Sequence, residues 1–223
     1  MNRLMYKAGT YILQKESRLL TILRRLKEYL SGVTVARSQI NRAKPEFVAS
    51  VSGDILEIGG FDDFFKQRYE KGEFVNLDIQ DGPCVDVVAD AENMCAVGGE
   101  SFSAVICISV LEHTLNPTQI LEEVHRVLKP GGRVLLSTPW LFEAHMEPQD
   151  FWRFSSHLLA QDSNFEVQWI ESANSYPGLL AHFCQHNILL RFTVGFIFLV
   201  SDLFLKNKLR WATQITCILK KAG

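Results

Sequence analysis

Two carboxylates at the ends of short apolar runs are the residues best placed to do chemistry in this chain. Asp54-Ile55-Leu56-Glu57-Ile58-Gly59-Gly60 closes one run on a carboxylate and paired glycines. Val75-Asn76-Leu77-Asp78-Ile79 closes a second, with Asp78 nineteen positions after Gly59. In a doubly wound sheet two such strand ends lie side by side at the crevice where ligands bind. A glycine there lets backbone approach a ligand closely. A carboxylate at the neighbouring strand end can accept hydrogen bonds from both hydroxyls of a ribose, so the pair points to an adenosine-type cofactor.

The loop itself narrows the choice. Gly59-Gly60-Phe61-Asp62-Asp63-Phe64 lacks the G-x-G-x-x-G spacing of a dinucleotide site. Asp62 and Asp63 would repel a pyrophosphate, which argues against NAD or FAD. A cofactor with no phosphate and a positive centre is tolerated, and S-adenosylmethionine meets that description. On this segment alone, a buried strand followed by an ordinary Gly-Gly turn explains the residues equally well.

The elements that must position these groups follow in order. Val85 to Glu92 reads as a short strand ending in Asp90. Phe102 to Ser109 is a near-continuous apolar run of the kind found in central parallel strands. Ile120, Leu121, Val124, Val127 and Leu128 recur at helical spacing within 117–128. Lys129-Pro130-Gly131-Gly132 ends that helix, and Arg133 to Thr138 is the next strand. Strands alternating with helices predict a parallel sheet with right-handed crossovers.

With these pieces in place the chain resembles the class I S-adenosylmethionine-dependent methyltransferases, in their small-molecule and glycan-type branch. The resemblance rests on Ile55-Leu56-Glu57-Ile58-Gly59, Asn76-Leu77-Asp78, Ala89-Asp90-Ala91-Glu92, Val110-Leu111-Glu112-His113 and Val127-Leu128-Lys129-Pro130-Gly131-Gly132. A further piece, His145-x-x-Pro148-x-Asp150-x-Trp152-Arg153-Phe154, is similar to the segment after the fifth strand in methyltransferases associated with polysaccharide synthesis. It covers roughly residues 45 to 171; one departure is Phe61 and Asp63 where the family carries further glycines. The implied fold is α/β, a doubly wound, seven-stranded, mostly parallel Rossmann-like sheet with an N-terminal helical arm. The implied cofactor contacts are Glu57, Gly59 and Gly60 at the methionine part, Asp78 and Ile79 at the ribose, Asp90 and Ala91 at the adenine, and Ile108 and Ser109 beneath the transferred methyl.

Methyl transfer from a sulfonium needs alignment more than covalent help. A base is required only when the acceptor must lose a proton, as a hydroxyl must. His113 and His145 are the candidates, since imidazole titrates near neutrality. The plainer role for His113 is structural, in the loop after the fourth strand; for His145 it is that of a solvated loop residue. Arg153 and Trp152, with Asp150, could take an anionic or sugar substrate by a charge-assisted fork and ring stacking, or could anchor the loop. His145, Glu147 and Asp150 are too loosely spaced to predict a metal site, and none is expected.

Composition fits one domain with an appendage: 223 residues, 47% of them apolar. Five scattered cysteines, Cys84, Cys95, Cys107, Cys184 and Cys217, read as reduced thiols rather than a disulfide or zinc framework. No secretory leader is expected from the first thirty residues. The overall charge of −2 hides an asymmetry, because residues 1–44 hold ten Lys and Arg against two Glu, a balance of +8. Leu19, Ile22, Leu23, Leu26 and Leu30 recur there at helical spacing among arginines. Such a helix either packs its leucines on the domain or lies on an anionic surface; it carries no nucleic-acid recognition motif. Phe165 to Glu171 and Thr213 to Lys221 read as two further strands. Ile188 to Leu205 between them is strongly apolar but interrupted by Arg191 and Asp202, which favours a buried or partner-facing helix over a surface or lid helix, and disfavours a membrane span.

The sequence therefore predicts an arm over 1–44 and a methyltransferase domain over 45–223 with an apolar helical insertion near 186–206. It predicts methyl transfer to an oxygen, or in second place a nitrogen, of a small or glycan-like acceptor. The setting is cytoplasmic, with peripheral contact at the inner face of a membrane and homo-oligomerisation as open partner readings. The alternative is a non-catalytic methyltransferase-like scaffold of a membrane-associated assembly.

Overall fold

The computed structural model describes residues 18–60, 62–145, 149–159, 164–205 and 211–222. Phe61, Glu147, Pro148 and the first seventeen residues, on which parts of the sequence expectations fall, lie outside the described residues. Seven strands form one sheet: β1 (Ile55–Ile58), β2 (Phe74–Asp78), β3 (Val87–Val88), β4 (Phe102–Ile108), β5 (Leu128–Pro139), β6 (Phe165–Ser172) and β7 (Gln214–Lys221). Their order is β3-β2-β1-β4-β5-β7-β6. The first five pair in parallel, and β7 runs antiparallel to both β5 and β6. The doubly wound, mostly parallel sheet read from the sequence is thus the observed one.

The central strands are mostly apolar because both faces of the sheet are covered. Successive residues alternate between faces, so residues two apart share one. On one face Val105 and Cys107 of β4 join Val134 and Leu136 of β5 beneath Ile120, Val124 and Val127 of helix α3 (Pro117–Val127). On the other, Ala104, Ile106 and Leu135 pack against Ala43, Phe47 and Val48 of a helix before β1. Buried in this sheet, the Cys217 thiol is pushed up to about 12 by desolvation and is inert as a nucleophile at neutral pH.

The N-terminal part departs from the expected boundary at residue 44. It holds α1 (Arg18–Leu30) and α2 (Val35–Ser50), and α2 runs without a break past residue 44 into the sheet core. Thr34 starts α2 by accepting a hydrogen bond from Arg37 N through its hydroxyl. Residues 35–50 therefore belong to the domain by packing. The leucines of α1 are divided: Ile22 and Leu26 are half-buried, whereas Leu23 and Leu30 face solvent.

Between β6 and β7 stands the helical insertion. It contains α5 (Tyr176–Cys184), α6 (Ile188–Leu190) and α7 (Phe196–Asp202), the last two joined by a π-helical turn at Arg191–Gly195; a short α4 (Ser156–Leu159) precedes β6. Asp202 organises this unit. Its carboxylate accepts from Ser175 N (2.8 Å) and Gly178 N (3.1 Å) at the start of α5 and pairs with Arg25 of α1 at 2.8 Å. Tyr29 of α1 donates to Ala181 O. No helix among the described residues is long and apolar enough to cross a membrane.

Candidate active site

The sheet reverses its strand order between β1 and β4, so the crevice beyond their C-terminal ends is where a ligand site is expected. Gly59 ends β1 at φ +74°, and a Cβ there would meet Val110 Cγ2 at 2.8 Å, so only glycine fits. Ser109 ends β4 at φ +54°, a strained conformation for a residue with a side chain. It is held there by Ser109 N donating to Ser137 O (2.9 Å) and by Gln214 Nε2 of β7 donating to its hydroxyl (3.3 Å).

Two cavities meet over these two strand ends. One, of about 270 Å³, is lined by Gly59, Asp78, Ile79, Asp90, Ala91, Ser109 and His113 among others. The other, of about 340 Å³, includes Arg37, Lys44, Glu57, Gly59, Ile108, Ser109, His113 and His145 in its wall. Gly59, Ser109 and His113 line both. Together they have the size of a small-molecule site.

In the first cavity Asp78 is nearly buried at the end of β2, and its Oδ1 accepts from Gln80 N at 2.8 Å. That leaves Oδ2 for a hydroxyl-bearing ligand. Asp90 is braced the same way, accepting from Glu92 N at 2.9 Å. In the second cavity Glu57 is buried, which raises its carboxyl above the ordinary range, and Lys44 opposes that shift at 2.5 Å. Lys44 also lies 4.7 Å from the Phe65 ring centroid. Sequence reading missed Lys44 and Arg37 because it assigned α2 to an arm. The usable signal was Ile40 and Lys44, one turn apart on the helix whose Ala43 and Phe47 reach the sheet core.

Gly60 does not fit its expected role. It lines neither cavity and packs against Asn76 and Glu57, where a Cβ would come to 3.0 Å of Asn76 Oδ1. Asp63 also turns away, accepting from Gln67 Nε2 in the turn that follows, whereas Asp62 reaches the second cavity.

His113 and His145 come together from two loops, with ring centroids 4.9 Å apart. Glu112 is wholly buried beside them, 3.9 Å from His113 Nε2 and 3.7 Å from His145 Nε2. Both its oxygens lack a hydrogen-bond donor among the described residues, as does His113 Nε2. His113 Nδ1 lies 2.5 Å from Gln149 O, a carbonyl that can only accept, so Nδ1–H donates there. Glu112, then Asp150, raise the His145 imidazole above its ordinary value against the opposing effect of burial. Glu112, His113 and His145 bring ligating atoms within 4.8 Å of one another, and Glu143, His182 and His186 do so elsewhere. The first group can act on a proton or hold a divalent cation.

Of the two roles expected for Arg153, its contacts are those of a loop anchor. Its guanidinium is spent on the loop itself, donating to both oxygens of Asp150 (2.5 and 2.7 Å) and to the carbonyls of Phe142, Glu143 and Trp152. Trp152 Nε1 donates to Thr114 O. Asp150, Trp152 and Arg153 line neither cavity. They anchor the loop that carries Phe142 and His145, leaving no fork for a substrate. Arg153 holds the Asp150 carboxyl well below the usual carboxylate range. The stability from this pair is complete above that range and is lost as pH falls through the depressed value. Arg153→Ala is expected to cost roughly 1–3 kcal/mol through these charge-assisted bonds. The thermal midpoint should fall by about 2–10 °C in calorimetry; an unchanged midpoint would contradict the anchoring role.

A family model described as "Methyltransferase domain" matches residues 17–136. Among curated proteins, the ubiquinone biosynthesis O-methyltransferase of Xanthomonas oryzae pv. oryzae (strain PXO99A) is 45% identical over 51 residues, 23% of this chain and 21% of that protein. The alignment thus spans about a fifth of the relative's length. The structure is similar to that of the [4+2]-cyclase SpnF, with TM-score 0.55 and 14% identity over 92% of this chain and 94% of that one. It is also similar to Burkholderia thailandensis 1,6-didemethyltoxoflavin-N1-methyltransferase bound to 1,6-didemethyltoxoflavin and S-adenosylhomocysteine. There the TM-score is 0.53 and identity 12%, over 92% of this chain and 89% of that one. At these identities the structural likeness speaks to fold alone; a cyclase among the neighbours shows that the activity has to be argued from the site.

Proposed function

The chain belongs to the methyltransferase domain family, the class I S-adenosylmethionine-dependent methyltransferases, and on that premise we propose that it methylates an oxygen of a small-molecule or glycan-like acceptor. The observation that carries the reading is the joined pair of cavities, with Asp78 in one, His145 in the other, and Gly59, Ser109 and His113 at the junction. Asp78 would hold the ribose hydroxyls of S-adenosylmethionine in the first cavity. Gly59 and Ser109 would then flank its methyl-bearing end at the junction, with the second cavity left for the acceptor. The acceptor oxygen attacks the methyl carbon while the carbon–sulfur bond breaks, its electron pair passing to sulfur to give S-adenosylhomocysteine. The acceptor's proton passes to the His145 imidazole, and buried Glu112 stabilises the imidazolium.

Oxygen is favoured over nitrogen by two independent supports: a base stands at the acceptor side, and the curated relatives are named as O-methyltransferases. The glycan-like option rests on the segment from His145 to Phe154, and the cytoplasmic setting on five free cysteines. The Glu112 carboxylate, whose oxygens have no hydrogen-bond donor among the described residues, favours one variant of the same chemistry, in which a divalent cation held by Glu112, His113 and His145 would acidify the acceptor hydroxyl.

Calorimetric titration of the full chain tests the reading. S-adenosylmethionine and S-adenosylhomocysteine are expected to bind and NAD to leave no heat. Absence of any S-adenosylmethionine binding at saturating concentration would favour the scaffold alternative, and binding of NAD alone would assign an oxidoreductase.

A further inference from the structure

The helical insertion and α1 turn apolar faces to solvent from a unit that is otherwise tightly bound. In α6, the π turn and α7, the buried residues are Gly195, Leu199 and Asp202, a single stripe at positions i, i+4 and i+7. The rest of the circumference carries Ile188, Leu189, Phe192 and Ile197, each more than half exposed, with Phe183 of α5 beside them at 50%. A helix apolar all round is normally covered all round. On α1, Leu23, Lys27 and Leu30 form a second exposed stripe, again at i, i+4 and i+7. This is not loose packing. The Arg25–Asp202 pair, the Tyr29–Ala181 bond and Gly195, which admits the Tyr29 hydroxyl where a Cβ would come to 2.3 Å, fix α1 against the insertion.

Charge selects what covers the face. From residue 183 to 205 the only Asp, Glu, Lys or Arg residues are Arg191 and Asp202. Asp202 is buried against Arg25, and Arg191 donates to Gln185 O. The insertion therefore offers no free carboxylate; Lys27 lies on the exposed stripe of α1, and the sequence that follows the insertion holds Lys206, Lys208 and Arg210. The whole segment 1–44 carries +8. Apolar side chains bordered by cations complement an anionic bilayer surface, where the former enter the acyl boundary and the latter meet the headgroups. A second copy would set like charges against each other.

We propose that α1 and the β6–β7 insertion form a docking face for an anionic membrane. The face adjoins the acceptor cavity, because Gln185 at the end of α5 bonds both Val33 O and Val35 N at the start of α2, whose Ala36, Arg37 and Ile40 line that cavity. A bound enzyme would meet an acceptor at the lipid boundary. Docking needs no methyl transfer, so its failure leaves the catalytic reading intact.

Vesicle flotation of the full chain tests this. On phosphatidylcholine vesicles with 30 mol% phosphatidylglycerol at low salt, most of the protein is expected to float, with about a tenfold drop on pure phosphatidylcholine or at high salt, where screening removes the attraction. The double substitution Leu189→Glu/Phe192→Glu, on two exposed side chains, should abolish flotation with the thermal midpoint and S-adenosylmethionine affinity unchanged. No flotation on anionic vesicles, or equal flotation on neutral ones, overturns the proposal. So does a dimeric mass by light scattering that the double substitution reduces to a monomer, which assigns the face to a second copy.

Discussion

Replacing Asp78 with alanine is expected to weaken S-adenosylmethionine and S-adenosylhomocysteine by the same large factor. Asp78 lines the first cavity, the one proposed for the adenosine, and a contact with the ribose would be common to both ligands. Charge-assisted hydrogen bonds from two hydroxyls are worth about 1.5–3 kcal/mol, which is roughly 10- to 150-fold in Kd. Asp78→Asn separates two roles. It keeps an oxygen acceptor for Gln80 N, now at 2.8 Å from Oδ1, while removing the charge, so its loss should be the smaller. Calorimetric titration of both variants, each with a melting curve to show that it folds, measures the effect. Unchanged affinity in folded Asp78→Ala would remove this carboxylate from the site.

The second large effect is on turnover. His145→Ala is expected to lower kcat by about 10²–10⁴-fold, the usual contribution of a positioned general base. The cofactor Kd should hardly move, because of the two cavities His145 lines the second, the one proposed for the acceptor, and not the first. The pH profile gives a signature that misfolding would not. A base must be neutral to act, and Glu112 and Asp150 raise the His145 imidazole above its ordinary 6.5. Activity should therefore rise with pH through a midpoint above that value, and this acid limb should vanish in His145→Ala. Treatment with a chelator distinguishes the metal-assisted variant: the base reading expects no loss of rate, the cation reading a loss restored by added divalent ions. Full activity in His145→Ala would exclude both.

Particular residues show how far local pattern carries. The apolar runs of β1, β2 and β4, the helical spacing of α3 and the carboxylates Glu57, Asp78 and Asp90 were legible because strand, helix and turn signals are short-ranged. They sufficed for the sheet and placed these carboxylates around the crevice at its strand ends. Local pattern does not say which partner a polar or small residue takes, even within its own loop. Arg153 looked like a substrate fork until its guanidinium was found against Asp150 and three carbonyls of its own loop. Gly60 looked like a ligand glycine but packs on Asn76.

The sequence by itself determined that this is a parallel α/β domain with carboxylates at its strand ends, since periodicity dictates which face of each element is apolar and turn chemistry dictates where each stops. Only the tertiary structure decided what those faces and charges meet. It brought Lys44 onto Glu57, set Gln214 of the last strand on Ser109, closed Glu112 between histidines from two loops, and left Leu23 and Leu189 uncovered. A helical stripe of leucines states that something must cover it. Whether that cover is the domain's own sheet or lies outside the chain depends on contacts between residues far apart in sequence, which no local pattern encodes.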